Sequence, residues 1–328
     1  MILPEYDRTM LAARYPTSGP HRGRLEVVEI ERPSPGPGEV LVRVAVSGVN
    51  PTDWKARRNA TGFEHVVPNQ DGAGTIDAVG PGVDESHVGQ RVWLYQAAWQ
   101  RAQGTAAQWI ALPAEQAVPL PDHASFALGA SLGIPAMTAH RCLFADGPLP
   151  PGSPVLVHGG AGAVGHAAIE LARWAGARVA TTVSSSDKAR LAEGADLVVN
   201  YRAESVADAV RAWAPDGVRR IVEVDLARNL EADAEVLADG GAIVSYADPD
   251  RSVKPPRTLM VKNAAIQFVL VYTMPDAAKR DSVADITRAL GDGALTTLPI
   301  TRFPLEAIAA AHDAVEGGAI GKVLVDIG

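Results

Sequence analysis

A glycine-rich turn follows an apolar, strand-like run in the sequence VLVHGGAGAVG. Gly160, Gly162 and Gly165 in this turn fit the spacing G-x-G-x-x-G. Gly160 permits a tight turn, Gly162 lets the backbone approach a pyrophosphate, and Gly165 lets the next helix pack on the strand. A glycine turn that serves packing alone is the alternative, but the order strand, turn, helix, strand favours a dinucleotide site.

The segment after the next strand bears on which nicotinamide cofactor the site takes. Dinucleotide sites often carry an acidic residue about twenty positions after the first glycine, where it binds a ribose hydroxyl. Val183 and Ser184 stand there instead, so no carboxylate would repel a 2′-phosphate. Ser184, Lys188 and Tyr201 offer hydroxyl groups and a cation, which favour NADPH over NADH. Structural interpretations stay open, with Ser186 as a helix N-cap, Lys188 as solvated surface and Tyr201 as strand-end packing.

Composition excludes several other classes of protein. The formal net charge is −8 and no long basic run occurs, whereas nucleic acids attract clustered lysine and arginine. We therefore expect no nucleic-acid partner, although a local patch stays open. Cys142 is the single cysteine, so the chain can form neither an intrachain disulfide nor a four-cysteine zinc site. We expect Cys142 to be a small buried side chain.

Apolar segments are too short for a membrane or a secretion signal. The start, MILPEYDRTM, interrupts its apolar residues with charges, and the run AAIQFVLVYTM is shorter than the roughly eighteen residues that a bilayer requires. A soluble cytoplasmic protein is the expectation.

The pattern of apolar residues predicts two kinds of domain. Residues 25–121 alternate or run apolar between turns, which is typical of an all-β unit. Strands and helices alternate after the turn ADGPLPPGSP, and crossover helices require a parallel sheet. We predict a β domain in two parts, 1–124 and 273–328, with a cofactor-binding domain over 125–272.

The chain resembles the zinc-free quinone oxidoreductases, the zeta-crystallin-like family of the medium-chain dehydrogenase/reductase superfamily. The motifs that carry the resemblance run in the family's order from Met10 onward: PGPGEVLVRVAVSGVNPTDW, GAGTIDAVGPGV, SLGIPAMTAHRCL, VLVHGGAGAVG, ADLVVNYR and GKVLVDI. It implies an α/β fold, in which a Rossmann domain with a doubly wound parallel sheet is inserted in a chaperonin-10-like (GroES-like) β domain. It also implies a nicotinamide in the cleft between the domains and a homodimer formed near residues 266–272.

The same resemblance implies that no zinc is bound. Zinc-dependent members of the superfamily carry a cysteine where Asn50 stands, and Gly-His-Glu where Asn69, Gln70 and Asp71 stand. A set without thiolate and imidazole cannot hold zinc in the usual way. A partial site made of His65, Glu64 and Asp53 is the alternative.

The resemblance also assigns residues to the cofactor. The residues beside the nicotinamide and its ribose, which take the catalytic positions, are Asn50, Trp54 and Thr138. The pyrophosphate would lie on the turn and helix start at Gly160, Gly162, Ala163, Val164 and Gly165. The residues around the adenosine phosphate are Ser184, Lys188 and Tyr201, and those that close over the cofactor are Val269, Leu270, Val271 and Lys322.

Two positions depart from the family pattern. His140 stands where the family often has tyrosine, and we expect a packed or capping histidine more than a proton donor. Trp54 lies near another such tyrosine position and would roof the pocket. The stretch VDLARN after Glu223 also departs from the frequent Val-Gly-Gly, which leaves the contacts around the adenosine open.

These observations favour an NADPH-dependent reductase of quinones or α,β-unsaturated ketones. Such acceptors spread the incoming charge over a conjugated carbonyl, so positioning can replace a metal. An enoyl-thioester reductase is the alternative within the enzymes. An NADPH-binding protein with a structural or RNA-binding use is the alternative of a different class.

Overall fold

A computed structural model describes residues 8–248 and 251–328. Residue contacts divide the chain into two compact units, one of residues up to Ile134 with Pro299–Gly328, the other of Pro135–Leu298. The boundaries expected at 124 and 272 therefore fall before the limits of these contact units, and residues 1–7 of the first expected domain lie outside the described part. The second limit lies later because the helix over Asp276–Gly291 buries Ile286, Ala289 and Leu290 within the second unit.

The strands and helices are numbered here in chain order. The strands are β1 (Thr9–Pro16), β2 (Glu26–Glu31), β3 (Glu39–Val49), β4 (His65–Val66), β5 (Asp71–Val79), β6 (Arg91–Leu94), β7 (Trp109–Pro113), β8 (Ala117–Pro119), β9 (Pro154–Val157), β10 (Arg178–Val183), β11 (Leu197–Asn200), β12 (Val218–Glu223), β13 (Leu237–Ser245), β14 (Ala265–Phe268), β15 (Ile300–Pro304) and β16 (Lys322–Asp326). The helices are α1 (Pro51–Ala56), α2 (Phe126–Gly129), α3 (Gly133–Phe144), α4 (Ala163–Trp174), α5 (Ser186–Ala189), α6 (Val206–Trp213), α7 (Leu226–Val236), α8 (Arg257–Val261), α9 (Asp276–Gly291) and α10 (Ile308–Glu316).

A sheet centred on β3 organises the first unit. Its described strands run in the order β15-β16-β3-β5-β6-β8, with β7 also paired to β3. Val42 of β3 lies opposite Ile76 of β5 and Ile110 of β7, and all three side chains are buried. Alternation of β3 residues between the two faces places Val40, Val42 and Val44 in this core. β1 adds a smaller antiparallel sheet with β2 and β4.

A parallel sheet organises the second unit, as the sequence predicts. Its described strands run in the order β11-β10-β9-β12-β13-β14. The middle strands are mostly buried and rich in apolar residues, as is typical of strands covered by helices on both faces. Val157 of β9 pairs with Thr181 of β10 and Val222 of β12. The strand order changes direction between the neighbouring strands β9 and β12, which is the topological switch point of the sheet. In such sheets, ligands bind at this point, outside the carboxyl ends of the strands.

Two further expectations concern burial and membranes. Cys142 is buried on α3 and free of any disulfide, as expected. Within the described residues, no helix combines the length and the apolar character that crossing a membrane requires.

Candidate functional site

The glycines of the turn after β9 meet different constraints. A Cβ atom on Gly160 would lie 2.2 Å from Thr181 Oγ1, and one on Gly165 would lie 2.3 Å from the Gly159 carbonyl oxygen. A Cβ atom on Gly162 would come no nearer than 3.3 Å, again to the Gly159 oxygen. Packing inside the protein therefore requires Gly160 and Gly165 but not Gly162. The space beside the Gly162 backbone is therefore open to a ligand that approaches it.

The start of α4 presents unused donors beside this turn. Gly162 is the N-cap residue, and the first helical hydrogen bond runs from His166 N to Gly162 O over 2.8 Å. The N–H groups of Ala163, Val164 and Gly165 therefore have no acceptor within the helix. Because the positive end of the helix dipole lies at the same place, this helix start is suited to a pyrophosphate.

His158 directly precedes the turn and is linked to it by hydrogen bonds through Thr182. Its Nδ1 lies 3.1 Å from Thr182 Oγ1, which also accepts a hydrogen bond of 3.2 Å from Gly159 N. Its Nε2 lies 2.8 Å from Asp233 Oδ1 and 3.4 Å from Glu223 Oε2. All three ionisable side chains are buried. The imidazole thus links the turn to strand β12 and helix α7.

Electrostatics favour a charged imidazole at this position. Burial alone would lower the pKa of His158, but the carboxylates of Asp233 and Glu223 raise it to about 9. Burial raises the pKa of Glu223, which the imidazolium opposes. Among the described residues this is the one group of three His, Cys, Asp or Glu side chains close enough to share a metal ion. Since the protonated Nε2 already donates to Asp233, the three side chains form a charged hydrogen-bonded cluster without needing a metal.

Glu223 also fixes the chain that follows β12. Its carboxylate accepts hydrogen bonds from the backbone N–H of Asp225 and from Asn229 Nδ2, the latter at 3.0 and 3.2 Å. The stretch VDLARN, which departs from the family pattern, is therefore held by a buried acid at the carboxyl end of β12.

The residues predicted to bind the adenosine phosphate lie at the ends of β10 and β11. Val183 pairs with Asn200, and Tyr201 N donates to Val183 O over 3.1 Å, so Ser184 and Tyr201 follow neighbouring strands at the same edge. Ser185, not Ser186, caps α5, because its Oγ accepts from Lys188 N at 3.3 Å. The Lys188 ammonium has no ion pair with any described residue, and its binding of phosphate stays a prediction.

The other predicted cofactor contacts in this unit differ in burial. Thr138 is buried on α3, Val269 and Val271 are buried beyond β14, and Leu270 is half exposed.

Two polar contacts hold His140: Nδ1 lies 2.8 Å from Ser282 Oγ, and Nε2 lies 2.8 Å from Asp285 Oδ2. Both ring nitrogens are engaged, which fits the packed histidine that the sequence favours.

A closed polar cluster surrounds Asn50 in the first unit. Asn50 Nδ2 donates to Asp71 Oδ2 and Asn50 Oδ1 accepts from Lys322 Nζ, both over 2.7 Å. Asp53 Oδ2 accepts from Asn50 N at 2.7 Å, and its Oδ1 accepts from Gln70 N at 3.2 Å. These side chains are buried. The amide of Asn50 is thereby fixed at both ends, and Lys322, predicted to close over the cofactor, has its ammonium inside this cluster.

The charges in this cluster are strongly perturbed. Burial raises the pKa of Asp53 to about 8, and the Asp71 carboxylate adds to the effect. Burial likewise raises the pKa of Asp71 to about 6, against the pull of the Lys322 ammonium. Burial lowers the pKa of Lys322, which the two carboxylates oppose. The cluster therefore holds ionisable protons whose pKa values lie close to neutrality.

The donor set at Asn50, Gln70 and Asp71 does not fit a zinc ion. Both ends of the Asn50 amide are hydrogen bonded, and Gln70 Oε1 accepts from Ala98 N at 3.1 Å. The Lys322 ammonium occupies the position where it would repel a metal cation. The partial site around His65 is not assembled either: His65 Nδ1 lies 3.9 Å from Glu64 Oε1, while Asp53 binds backbone N–H groups.

Trp54 follows Asp53 on α1. The Arg58 guanidinium lies 4.5 Å from the centre of its indole ring. The indole Nε1 is buried and has no hydrogen-bond partner. Trp54 therefore holds a donor that a ligand could use.

Several polar residues of the two clusters escape sequence reasoning. His158 and Asp233 are not singled out by any motif, although both are buried. The one signal for them is a charge in apolar surroundings, as in VLVHGG for His158. The sequence suggests Asp53 only for a partial metal site with His65 and Glu64, and it gives no sign of the contacts that Glu223 and Asp71 make.

Two family models match the chain. The model described as alcohol dehydrogenase GroES-like domain matches residues 36–122, and the model described as zinc-binding dehydrogenase matches residues 163–287. The first match lies in the unit built on β3, and the second lies in the unit built on the parallel sheet.

Individual proteins match over almost the whole chain. A quinone oxidoreductase from Rattus norvegicus is 30% identical over 315 residues, which cover 92% of this chain and 94% of that protein. A mycobacterial protein solved in complex with NADPH is 29% identical, with a TM-score of 0.81 over 97% of this chain and 100% of that one. A mycocerosic acid synthase-like polyketide synthase from Mycolicibacterium smegmatis is 31% identical over 92% of this chain. The matched part makes up 15% of the length of that synthase.

Proposed function

Because the chain belongs to the quinone oxidoreductase family of the medium-chain dehydrogenase/reductase superfamily, we propose that it is an NADPH-dependent, zinc-independent reductase of quinones or α,β-unsaturated carbonyl compounds. One observation carries the metal-free part of this proposal. The Lys322 ammonium and the Asn50 amide are hydrogen bonded where a catalytic zinc would need free ligands. The acceptor must then be reactive enough without a Lewis acid.

The choice of NADPH rests on charge at the end of β10. No acidic side chain follows Val183, and the ammonium of Lys188 has no ion pair with a described residue, so a 2′-phosphate would meet a cation and hydroxyl groups. The similarity to a mycobacterial protein solved with NADPH supports the same choice.

The residues of the chain bind and orient the reactants. The backbone N–H groups of Ala163, Val164 and Gly165 would bind the pyrophosphate. NADPH, when bound, would supply a hydride from C4 of its nicotinamide, and the acceptor would take up that hydride with its two electrons and a proton from solvent. Asn50 retains a second amide N–H for the acceptor, and Trp54 would provide an apolar wall.

NADPH deuterated at C4 tests the reaction directly. With a quinone and an enone as acceptors, we expect NADPH oxidation that persists in a chelator, transfer of deuterium to the enone product, and a primary isotope effect if hydride transfer limits the rate. Simple ketones and secondary alcohols serve as controls and should react poorly, because they need metal polarisation. Efficient oxidation of simple alcohols with no turnover of quinones, enones or enoyl thioesters would contradict the proposal.

Enoyl-thioester reduction is the second candidate function. The match to part of a polyketide synthase favours it, because the chain aligns there over nearly its whole length. An enoyl thioester is also a conjugated carbonyl, so the same hydride transfer applies. A higher kcat/KM for enoyl thioesters than for quinones and enones would select this function.

We also propose a homodimer formed through the edge of the parallel sheet. β14 is an edge strand, and large apolar side chains near it are exposed, namely Met260, Val261, Phe268 and Leu270. An exposed apolar edge of this kind is typical of an interface. Light scattering should give twice the chain mass for the wild type, and Phe268→Glu should shift it toward the monomer. A monomeric wild type at micromolar concentration would contradict the proposal.

A further inference from the structure

A basic cavity lies beside Trp54 in the first unit. Its volume is about 290 Å³, and the residues that line it are Arg22, Gly23, Trp54, Arg57, Arg58 and Glu316. It belongs neither to the glycine turn nor to the cluster around Asn50. Three guanidinium groups face one carboxylate here, although the chain as a whole has a net charge of −8.

The hydrogen bonds inside the protein leave most of these donors unused. Arg58 pairs with Glu316, which consumes the one carboxylate of the cavity. Arg57 Nε donates to Gly23 O over 2.8 Å, but neither Arg57 Nη atom has a hydrogen-bond partner in residues 8–248 and 251–328. Arg22 is exposed and has no ion pair with a described side chain. Arg22 and the two Nη atoms of Arg57 therefore keep unused donors, although the Asp313 and Glu316 carboxylates partly balance the charge of Arg57.

Trp54 forms part of the wall of the same cavity. The Arg58 guanidinium lies 4.5 Å from the centre of its indole ring. Burial lowers the pKa of Arg57, so its guanidinium is partly removed from water. An oxyanion in the cavity would satisfy the free guanidinium nitrogens of Arg22 and Arg57 together.

The number and type of donors favour a phosphoryl group over a single carboxylate. A carboxylate offers two oxygens and is satisfied by one bidentate arginine, whereas a phosphoryl group offers three strong acceptors and up to two charges. The unused nitrogens of two guanidinium groups, Arg22 and Arg57, match the larger number of acceptors. The cavity has room for a phosphoryl group with part of the molecule that carries it.

We propose that this cavity binds a phosphoryl group carried by the acceptor molecule. The inference deepens the proposed function and rests on it only in assigning the phosphate to the acceptor. The chemistry would suit the phosphates of a coenzyme A thioester or of a phosphopantetheine thioester.

Calorimetric titration without turnover tests the site. The probes are coenzyme A, dephospho-coenzyme A, pantetheine 4′-phosphate and inorganic pyrophosphate, with succinate as a dicarboxylate of similar charge. We expect Arg22→Ala and Arg57→Gln each to weaken binding of the phosphate probes about ten- to a hundredfold. The control Arg24→Ala changes an exposed arginine of the same segment that does not line the cavity, and it should leave binding unchanged.

The probes also distinguish the source of the phosphate. Tighter binding of coenzyme A than of dephospho-coenzyme A assigns the cavity to the 3′-phosphate, and equal binding of both with pantetheine 4′-phosphate assigns it to the phosphopantetheine arm. Binding of succinate as tight as that of pyrophosphate, or phosphate affinities unchanged in both arginine variants, would overturn the proposal. Arg22→Ala alone decides if Arg57→Gln does not fold, because Arg22 is exposed.

NADPH oxidation is measured separately on the same variants. Loss of quinone and enone turnover with phosphate binding intact would overturn the proposed function and leave the cavity assignment standing. If the wild type reduces quinones and enones but binds no phosphate probe, the cavity assignment is overturned and the proposed function stands.

Discussion

Lys188 is a single side chain on which the proposed preference for NADPH depends. It stands on the first turn of α5, beyond the end of β10, and its ammonium has no ion pair with a described residue. A cation at this place would distinguish NADPH from NADH through the 2′-phosphate alone. Arg190, four positions from Ser186, pairs instead with Asp187 at 3.9 Å.

We expect Lys188→Ala to weaken NADPH binding roughly ten- to a hundredfold, because a charge-assisted contact contributes about 1.5–3 kcal/mol. The affinity for NADH should barely change. Fluorescence titration of both cofactors measures the effect, with Arg190→Ala as a matched control on the same segment. Equal losses for both cofactors, or a wild-type preference for NADH, would refute the assignment.

Individual site residues differ in how far the sequence could reveal them. Gly160, Gly162 and Gly165 follow a local spacing that reflects local geometry, so their place in a turn before α4 was predictable. The bond between Lys322 and Asn50 joins residues 272 positions apart, and no local pattern encodes such a contact. The roles of the three glycines, Lys322 and Asn50 in binding the cofactor stay predictions.

At the scale of elements, the glycines of the turn between β9 and α4 differ in purpose. Packing requires glycine at position 165, whereas we expect position 162 to matter for ligand binding. A Cβ atom would lie 2.3 Å from the Gly159 oxygen at Gly165, which is a clash, and 3.3 Å from the same oxygen at Gly162, which requires only a small adjustment. We therefore expect replacement of these two glycines of one motif to have different effects.

Gly165→Ala should lower the free energy of unfolding by about 1–3 kcal/mol, because the added methyl group overpacks the turn. Gly162→Ala should change it by less than about 1 kcal/mol, since only the N-cap preference is altered. NADPH binding should weaken in Gly162→Ala even though the fold is retained. Urea denaturation and cofactor titration of both variants check this, and normal NADPH affinity in Gly162→Ala would be the contrary result.

The elements themselves were predictable where the apolar pattern is long. β3, β10 and β12 appear in the sequence as alternating or continuous apolar runs, and the structure has strands there. α1 was not predicted, because its six residues are too few for helical periodicity. β1 was not predicted either, since its residues pair with β2 and β4 and mix apolar and charged side chains. Such elements depend on tertiary contacts that are distant in sequence.

At the scale of the whole molecule, buried ionisable groups link stability to pH. The pKa of His158, about 9, lies above the ordinary value of 6.5, so its contribution is fully present below pH 6.5 and is lost as the pH rises through 9. The raised pKa of Asp53, about 8, acts in the same direction, because the folded state binds that proton more tightly than the unfolded state.

The free energy of unfolding should therefore fall between pH 6.5 and 9. His158→Gln should lower it by about 3–5 kcal/mol at pH 6.5, because Asp233 loses its buried partner, and should flatten the decline with pH. The exposed His21→Gln is the control and should leave both unchanged. Urea denaturation over a pH series measures these values, and a stability that is flat or rises over this range in the wild type would disprove the linkage.

Burial of Cys142 has a chemical consequence for the proposed reduction of conjugated carbonyls. Quinones and enones are electrophiles that alkylate thiolates by conjugate addition. Cys142 is the single cysteine of the chain, it is fully buried, and burial raises its pKa to about 12. Since the thiolate is the nucleophile, this sulfur is both inaccessible and unreactive at neutral pH. The chain can therefore work in the presence of thiol-reactive acceptors without losing its one thiol to them.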